Sequence, residues 1–197
     1  SIAIIEKGTF GGTCLNVGCI PTKMYVYAAD VALAARESKR LGVSAHVDAV
    51  DWNGIVERVF HNRIDQIAEG GEAYRRGDET PNITVFDQHA RFIGPKTLQC
   101  GDDIITGEHI VIAAGSRPVL PEPYASTDVP VHTNEDIMRL PDLPKSLTIV
   151  GGGFIAMEFA HVFDALGTKV TVVSRSPFLR NLDETLCTQF NELATER

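Results

Sequence analysis

Apolar and polar positions divide the chain into distinct textures. Ser1-Ile-Ala-Ile-Ile, closed by Glu6 and Lys7, reads as a buried strand ending in an acid. From Met24 to Arg40 the apolar residues change to helical spacing, with Tyr27, Val31, Ala34 and Ala35 on one face and Gly42 as a stop. Asp51 is placed to cap a second helix running from Trp52 to about Arg76, interrupted at Gly70-Gly71 and carrying its charges outward. After the turn residues Asp78 to Asn82 come short β-type runs at Ile83 to Phe86, Ala90 to Ile93, Thr97 to Cys100 and His109 to Ala113. They predict a small antiparallel meander attached to the first sheet. Pro118 to Pro123 forms a proline-rich crossing and a candidate boundary, dividing residues 1–118 from 119–197. Beyond it the pattern is strand (Leu147 to Val150), glycine turn (Gly151 to Gly153), amphipathic helix (Phe154 to Leu166, stopped by Gly167) and strand (Lys169 to Val173). Arg197 lies inside a further helical-looking stretch.

Composition narrows the classes. A hydrophobic share of 44% and a charged share of 22% are those of a globular protein, and 197 residues allow one or two domains. The net charge of -8 repels polyanions and argues against general nucleic-acid or acidic-membrane binding, so no nucleic-acid or membrane partner is expected. No apolar run is long enough for a membrane span, the longest being broken by Gly151 to Gly153 and Glu158. Four cysteines fit a reducing cytosol better than a disulfide scaffold, which gives a cytoplasmic expectation.

The chemistry concentrates between Gly11 and Lys23, where Cys14 and Cys19 lie in a glycine-framed run. A disulfide needs its Cα atoms within about 7 Å, whereas five residues of regular helix rise about 7.5 Å. Bonding the pair therefore requires an irregular turn through Leu15-Asn16-Val17-Gly18, for which Gly18 is free at φ and Asn16 tolerates the left-handed region. Pro21 suits a first helical turn, so a helix begins at or near Cys19, and a helix start favours thiolate. The other readings of these residues are half of a zinc site and two buried structural cysteines. Zinc would need four ligands, and Cys100 and Cys187 are isolated in sequence, so no metal is expected.

The segment Gly151 to Ala156, set between a strand and a helix with a second strand on schedule, is a dinucleotide-binding βαβ fingerprint with alanine in the third glycine's place. Pyrophosphate would meet the N–H groups of the helix start, at Gly151, Gly153, Phe154 and Ile155. NAD-specific units carry an acid at the end of the second strand, and NADP units carry arginine. Here Ser174-Arg175 and then Arg180 precede the first acid, Asp183. Two arginines can clamp a 2′-phosphate, which predicts NADPH; the alternative is two surface arginines.

Gly11 to Lys23 resembles the redox-disulfide signature of the flavoprotein disulfide reductases. The flanking Gly8-Thr9-Phe10 and Met24 to Ala32 are most similar to the branch of that family acting on mycothione, the disulfide of mycothiol. The resemblance implies an α/β fold of two Rossmann-like, three-layer dinucleotide-binding domains, the first binding FAD and the second NADPH. It makes Cys14 and Cys19 the redox-active disulfide, with Cys14 facing substrate and Cys19 facing flavin. It implies FAD contacts from Glu6 (ribose), Gly12, Thr13, Lys23 (beside the flavin ring), Ala90 (adenine), Ala114, Gly115 and Ser116. It also implies a position for Glu158 between nicotinamide and flavin, and Arg175 and Arg180 on NADPH. From the residues alone, Glu6 reads as a solvated strand-end charge and Glu158 as a helix-face charge. The family's NAD-using members share nearly the same cysteine signature, and Arg175 and Arg180 count against them.

The first phosphate loop expected ahead of Glu6, and the dimer-interface domain with its His-Glu pair expected after Arg197, have no counterpart here. None of the six histidines lies in a segment resembling that pair. The chain accordingly reads as roughly the first half of a homodimeric enzyme, truncated at both ends. By itself it is expected to be an inactive nucleotide-binding module with weak flavin retention.

Overall fold

The protein is described by a computed structural model covering residues 1–195. In chain order the elements begin with β1 (Ile2–Ile5), α1 (Gly12–Val17), α2 (Cys19–Glu37), α3 (Trp52–Val59) and α4 (Asp65–Arg76). Four short strands follow: β2 (Ile83–Phe86), β3 (Ala90–Gly94), β4 (Thr97–Cys100) and β5 (Asp103–Thr106). The chain then runs through β6 (Ser146–Val150), α5 (Phe154–Leu166), β7 (Lys169–Val173) and α6 (Glu184–Thr195).

These elements form two compact units that do not follow the expected division at 118/119. One comprises Ser1–Pro21 and Phe60–Met138; the other comprises Thr22–Val59 and the residues from Arg139 onward. The physical reason lies in the aromatic residues. Trp52 of α3 packs against both Tyr25 of α2 and Phe163 of α5, and this cluster draws α3 and most of α2 into the second unit.

In the first unit β1 pairs in parallel with β2, Ile2 opposite Ile83 and Ile5 opposite Phe86. The meander is β3-β4-β5, antiparallel throughout. The run at Ile83 to Phe86 is thus part of the β1 sheet, while β5, unrecognised in the sequence, completes the meander. His109 to Ala113, expected as a strand, forms no regular element and joins no ladder among the described residues. Val111 is 87% and Ile112 75% exposed, so β-branched residues alone have not made a strand where no neighbour supplies hydrogen bonds.

In the second unit β6 and β7 pair in parallel, Ser146 opposite Lys169 through Val150 opposite Val173, with α5 connecting them. Gly167 ends α5 in the left-handed region, φ 108°, its N–H bonded to the Asp164 and Phe163 carbonyls. The buried stripe of α2 is Tyr25, Ala29 and Ala32, and the face expected to be core is outside, Tyr27 being 71% exposed. Both faces of α2 carry apolar residues, so periodicity could not choose between them; the alanines allow close packing.

Asp51 caps α3 as expected, its Oδ1 accepting the Gly54 N–H at 2.9 Å. Asp51→Ala should lower stability by about 1 kcal/mol, read as a shift in urea midpoint with unchanged slope. The break expected at Gly70-Gly71 is absent, α4 running straight through. A π-helical turn at Phe60–Ile64 interrupts the helix instead, with Phe60 and Ile64 both buried.

Candidate active site

Cys14 and Cys19 sit on either side of a helix-break-helix. Cys14 belongs to α1 and Cys19 opens α2, with Gly18 alone between the helices at φ -136°, ψ -121°. A Cβ on Gly18 would lie 2.8 Å from the Thr13 carbonyl oxygen, so any larger residue would push the two helices apart. The irregularity expected across Leu15 to Gly18 is confined to that glycine. Asn16 stays helical and spends its side-chain amide on the carbonyls of Phe10 (3.0 Å) and Gly12 (3.1 Å). Asn134 Nδ2 donates to the Val17 carbonyl at 3.1 Å, satisfying an end group of α1.

Both cysteines are exposed free thiols. The Cys14 sulfur is within hydrogen-bonding reach of the Cys19 thiol and of the backbone N–H groups of Cys19 and Ile20 at the start of α2. The bond to the Cys19 thiol dominates and raises the Cys14 pKa, while the two N–H groups pull it down. The simple expectation that a helix start favours thiolate is therefore outweighed at Cys14 in the dithiol. Cys100 and Cys187 are buried, their thiols directed at the carbonyls of Gln88 and Leu179. Among the described residues no three His, Cys, Asp or Glu side chains converge as metal ligands.

The first unit also holds several other residues singled out from the sequence. Glu6 follows β1, its N–H bonded to the Phe86 carbonyl and its carboxylate accepting the Gly8 N–H at 2.9 Å. Gly12 has φ 65° with open space where a Cβ would project. Thr13 Oγ1 lies 4.0 Å from the Cβ position of Gly115, itself at φ 68°, so these two meet across the fold. Ala114 and Ser116 flank Gly115 in an exposed run, and Ala90 opens β3, half-buried. Open glycines beside an exposed hydroxyl and an uncovered apolar run suit a large planar cofactor such as FAD.

The second unit holds the remaining candidates. Lys23 Nζ forms an ion pair with Glu158 Oε1, bringing together residues that the resemblance had assigned separate roles. A second contact between α2 and α5, Asp30 Oδ1 with His161 Nε2 at 2.8 Å, was not anticipated. Gly151 has φ 136°, and Gly153 stands at the N-cap of α5 with no side-chain cap. The first N–H groups of α5 are thus left for a ligand, and Phe154 is 68% exposed beside them. Arg175 and Arg180 are exposed and enter no ion pair among the described residues. Asp183, the first acid after β7, accepts the Thr185 and Leu186 N–H groups of α6 at 2.9 and 3.3 Å, so its carboxylate is committed to a helix cap. Sequence reasoning passed over Ser174 and Phe178, which press on Gly152; a Cβ there would lie 2.7 Å from Ser174 Oγ and 3.2 Å from the Phe178 ring. Their placement just after β7 was the available signal. No helix among the described residues is long and apolar enough to cross a membrane.

The model of the pyridine nucleotide-disulphide oxidoreductase family matches residues 1–197. Mycothione reductase from Mycobacterium tuberculosis is 52% identical over 204 residues, covering 99% of this chain and 43% of that protein. Dihydrolipoyl dehydrogenase from Halobacterium salinarum is 34% identical over 184 residues, covering 87% of this chain and 37% of its own length. Among solved structures, the HOCl-induced flavoprotein disulfide reductase RclA from Escherichia coli superposes with a TM-score of 0.80 at 30% identity, over 98% of this chain and 41% of that one. The chain therefore spans less than half the length of these relatives.

Proposed function

Because this chain belongs to the pyridine nucleotide-disulphide oxidoreductase family, we propose that it carries the redox cysteines and part of the nucleotide sites of an NADPH-dependent flavoprotein disulfide reductase whose substrate is mycothione. The observation that carries this reading is the helix-break-helix at Gly18, which holds two exposed thiols within reach of each other. In functional terms residues 1–118 are the FAD-binding part and 119–197 the NADPH-binding part, each Rossmann-like and three-layered in the whole enzyme. The enzyme is proposed to be a cytosolic homodimer.

The Cys14 thiolate attacks one sulfur of the substrate disulfide, forming a mixed disulfide and releasing one thiolate, which takes up a proton. The Cys19 thiolate then attacks the Cys14 sulfur, releases the second thiol and closes the Cys14–Cys19 disulfide. Glu6, Gly12, Thr13, Lys23, Ala90, Ala114, Gly115 and Ser116 would hold FAD, whose chemistry when bound would be two-electron transfer between nicotinamide and the Cys14–Cys19 pair. Glu158 orients the Lys23 ammonium. The N–H groups of Gly153, Phe154 and Ile155 would receive the pyrophosphate of NADPH at the start of α5, and Arg175 and Arg180 would receive its 2′-phosphate. The Gly151 N–H is instead bonded to the Val173 carbonyl at 2.9 Å, so Gly151 would contribute only the open space where a Cβ would project.

Dihydrolipoyl dehydrogenase activity is the competing reading. The two exposed arginines, which enter no ion pair among the described residues, and the committed Asp183 carboxylate weigh against the NAD site it would need. Assaying the holoenzyme with NADPH against mycothione, glutathione disulfide and lipoamide tests the substrate, and faster turnover of lipoamide than mycothione refutes it. Arg175→Glu should raise KM for NADPH by at least about tenfold while sparing NADH, since a charge-assisted phosphate contact is lost and a repulsion gained. An unchanged NADPH preference refutes the cofactor assignment.

A further inference from the structure

We propose that Asn191 of α6 is a positioning residue for 2′-phosphate selectivity, gripping the loop that carries Arg175 and Arg180; this rests on the NADPH reading above. Among the described residues the loop between β7 and α6 has no strand partner, yet it is bound at almost every residue between the arginines. Asn191 does what a neighbouring strand would do for Phe178. Its Oδ1 accepts the Phe178 N–H at 3.0 Å, and its Nδ2 donates to the Phe178 carbonyl at 3.2 Å and to the Cys187 carbonyl at 2.6 Å. Four residues earlier on α6, the Cys187 thiol donates to the Leu179 carbonyl at 2.9 Å.

Leu179 shows why the grip matters. Its φ is 58°, in the left-handed region that a branched side chain enters only when its surroundings hold it there. Its N–H donates to the Gly152 carbonyl at 2.7 Å, and its carbonyl also accepts the Leu182 N–H at 2.8 Å. One backbone reversal therefore links the glycine turn, where the pyrophosphate is proposed to bind, to the direction in which the chain leaves for Arg180. Asn191 fixes the residue just before that reversal, and the Phe178 ring in turn abuts Gly152. Releasing Phe178 frees the loop to leave the left-handed conformation, changing the separation of the two guanidinium groups without touching the α5 helix start. The adenosine ribose of NADH, which carries no 2′-phosphate, makes no use of that separation.

The test compares Asn191→Leu with the parent holoenzyme in steady-state kinetics with NADPH and NADH, and in binding of adenosine 2′,5′-bisphosphate. Loss of the paired hydrogen bonds should raise KM for NADPH and weaken the bisphosphate by about tenfold, with KM for NADH and kcat at saturating NADPH within about twofold of the parent. A general packing role would move both KM values and kcat together, and that result overturns the proposal. Cys187→Ala, removing a single bond to the same loop, should shift KM for NADPH in the same direction by about threefold, and it decides the matter if Asn191→Leu does not fold. If Arg175→Glu alters NADPH preference while Asn191→Leu and Cys187→Ala leave it unchanged, the positioning role falls and the NADPH reading stands. If Arg175→Glu has no effect either, the NADPH reading falls and takes this inference with it.

Discussion

Cys14→Ser in the holoenzyme should lower disulfide turnover by roughly 10³-fold or more, because a serine hydroxyl has no accessible anion to attack a disulfide sulfur at neutral pH. Cys19→Ser should be as inactive in steady state but should fail at a different step. With Cys14 intact, it should release about one thiol per active site and stop at the mixed disulfide, since the resolving sulfur is gone. Rapid-quench measurement of thiol release separates the two variants, and multiple turnovers by Cys14→Ser would remove the thiol-exchange mechanism altogether. The geometry adds a pH prediction. In the dithiol, the Cys19 thiol raises the Cys14 pKa against the two N–H groups at the start of α2. Alkylation of Cys14 should therefore rise with pH to a midpoint above the ordinary thiol value. Cys19→Ala deletes the raising contact and leaves the N–H donors, so its midpoint should move to lower pH. A shift to higher pH would show that the Cys19 thiol stabilises the Cys14 thiolate instead of opposing it.

The residues that the sequence made legible are those whose chemistry is local. Gly18, Pro21 and the cysteine spacing announced a helix start beside a break, and Gly18 indeed marks the junction of α1 and α2. Phe154 to Leu166 and Lys169 to Val173 were legible to the residue, because Gly153 and Gly167 punctuate them and the hydrophobic period changes between them. The errors come from tertiary choices. Nothing local separates the Tyr27-Val31 face of α2 from the Tyr25-Ala29-Ala32 face; the partner helix decides it. The strand at Ile83 to Phe86 was found, but its pairing with β1 across most of the first unit was not, since a parallel ladder leaves no turn signal. Lys23 and Glu158 were each singled out, yet their ion pair spans 135 residues and is invisible to any spacing rule. Asn191 was missed for a similar reason: an asparagine in a helix interior carries no signal until the loop it binds is folded against it.

Trp52→Ala should destabilise the protein by roughly 3–5 kcal/mol, a cost close to that of deleting a central core residue outright. Trp52 is 4% exposed; its ring centroid lies 5.3 Å from Tyr25 and 5.6 Å from Phe163, and its Nε1 donates to the Leu140 carbonyl at 2.7 Å. It therefore joins three helices and closes one backbone acceptor. Truncation leaves a cavity beside fully buried Tyr25, whose phenol burial already pushes to a higher pKa, and it leaves the Leu140 carbonyl without that donor. Trp52→Phe keeps most of the ring volume and loses chiefly the hydrogen bond, so its cost should be about 1–2 kcal/mol. Urea denaturation of both variants measures the two contributions separately, and a Trp52→Ala loss under about 1 kcal/mol would mean the aromatic cluster is not a core. The functional consequence follows from what the cluster holds. α2 carries Lys23 and Asp30, α5 carries Glu158 and His161, and their two contacts depend on the helices keeping their mutual register. Exposed ion pairs contribute little by themselves, so they report on that register more than they create it. Trp52→Phe should consequently keep the Lys23–Glu158 pair and near-parental kcat at temperatures where it remains folded, whereas Trp52→Ala should lose activity in parallel with its loss of folded population.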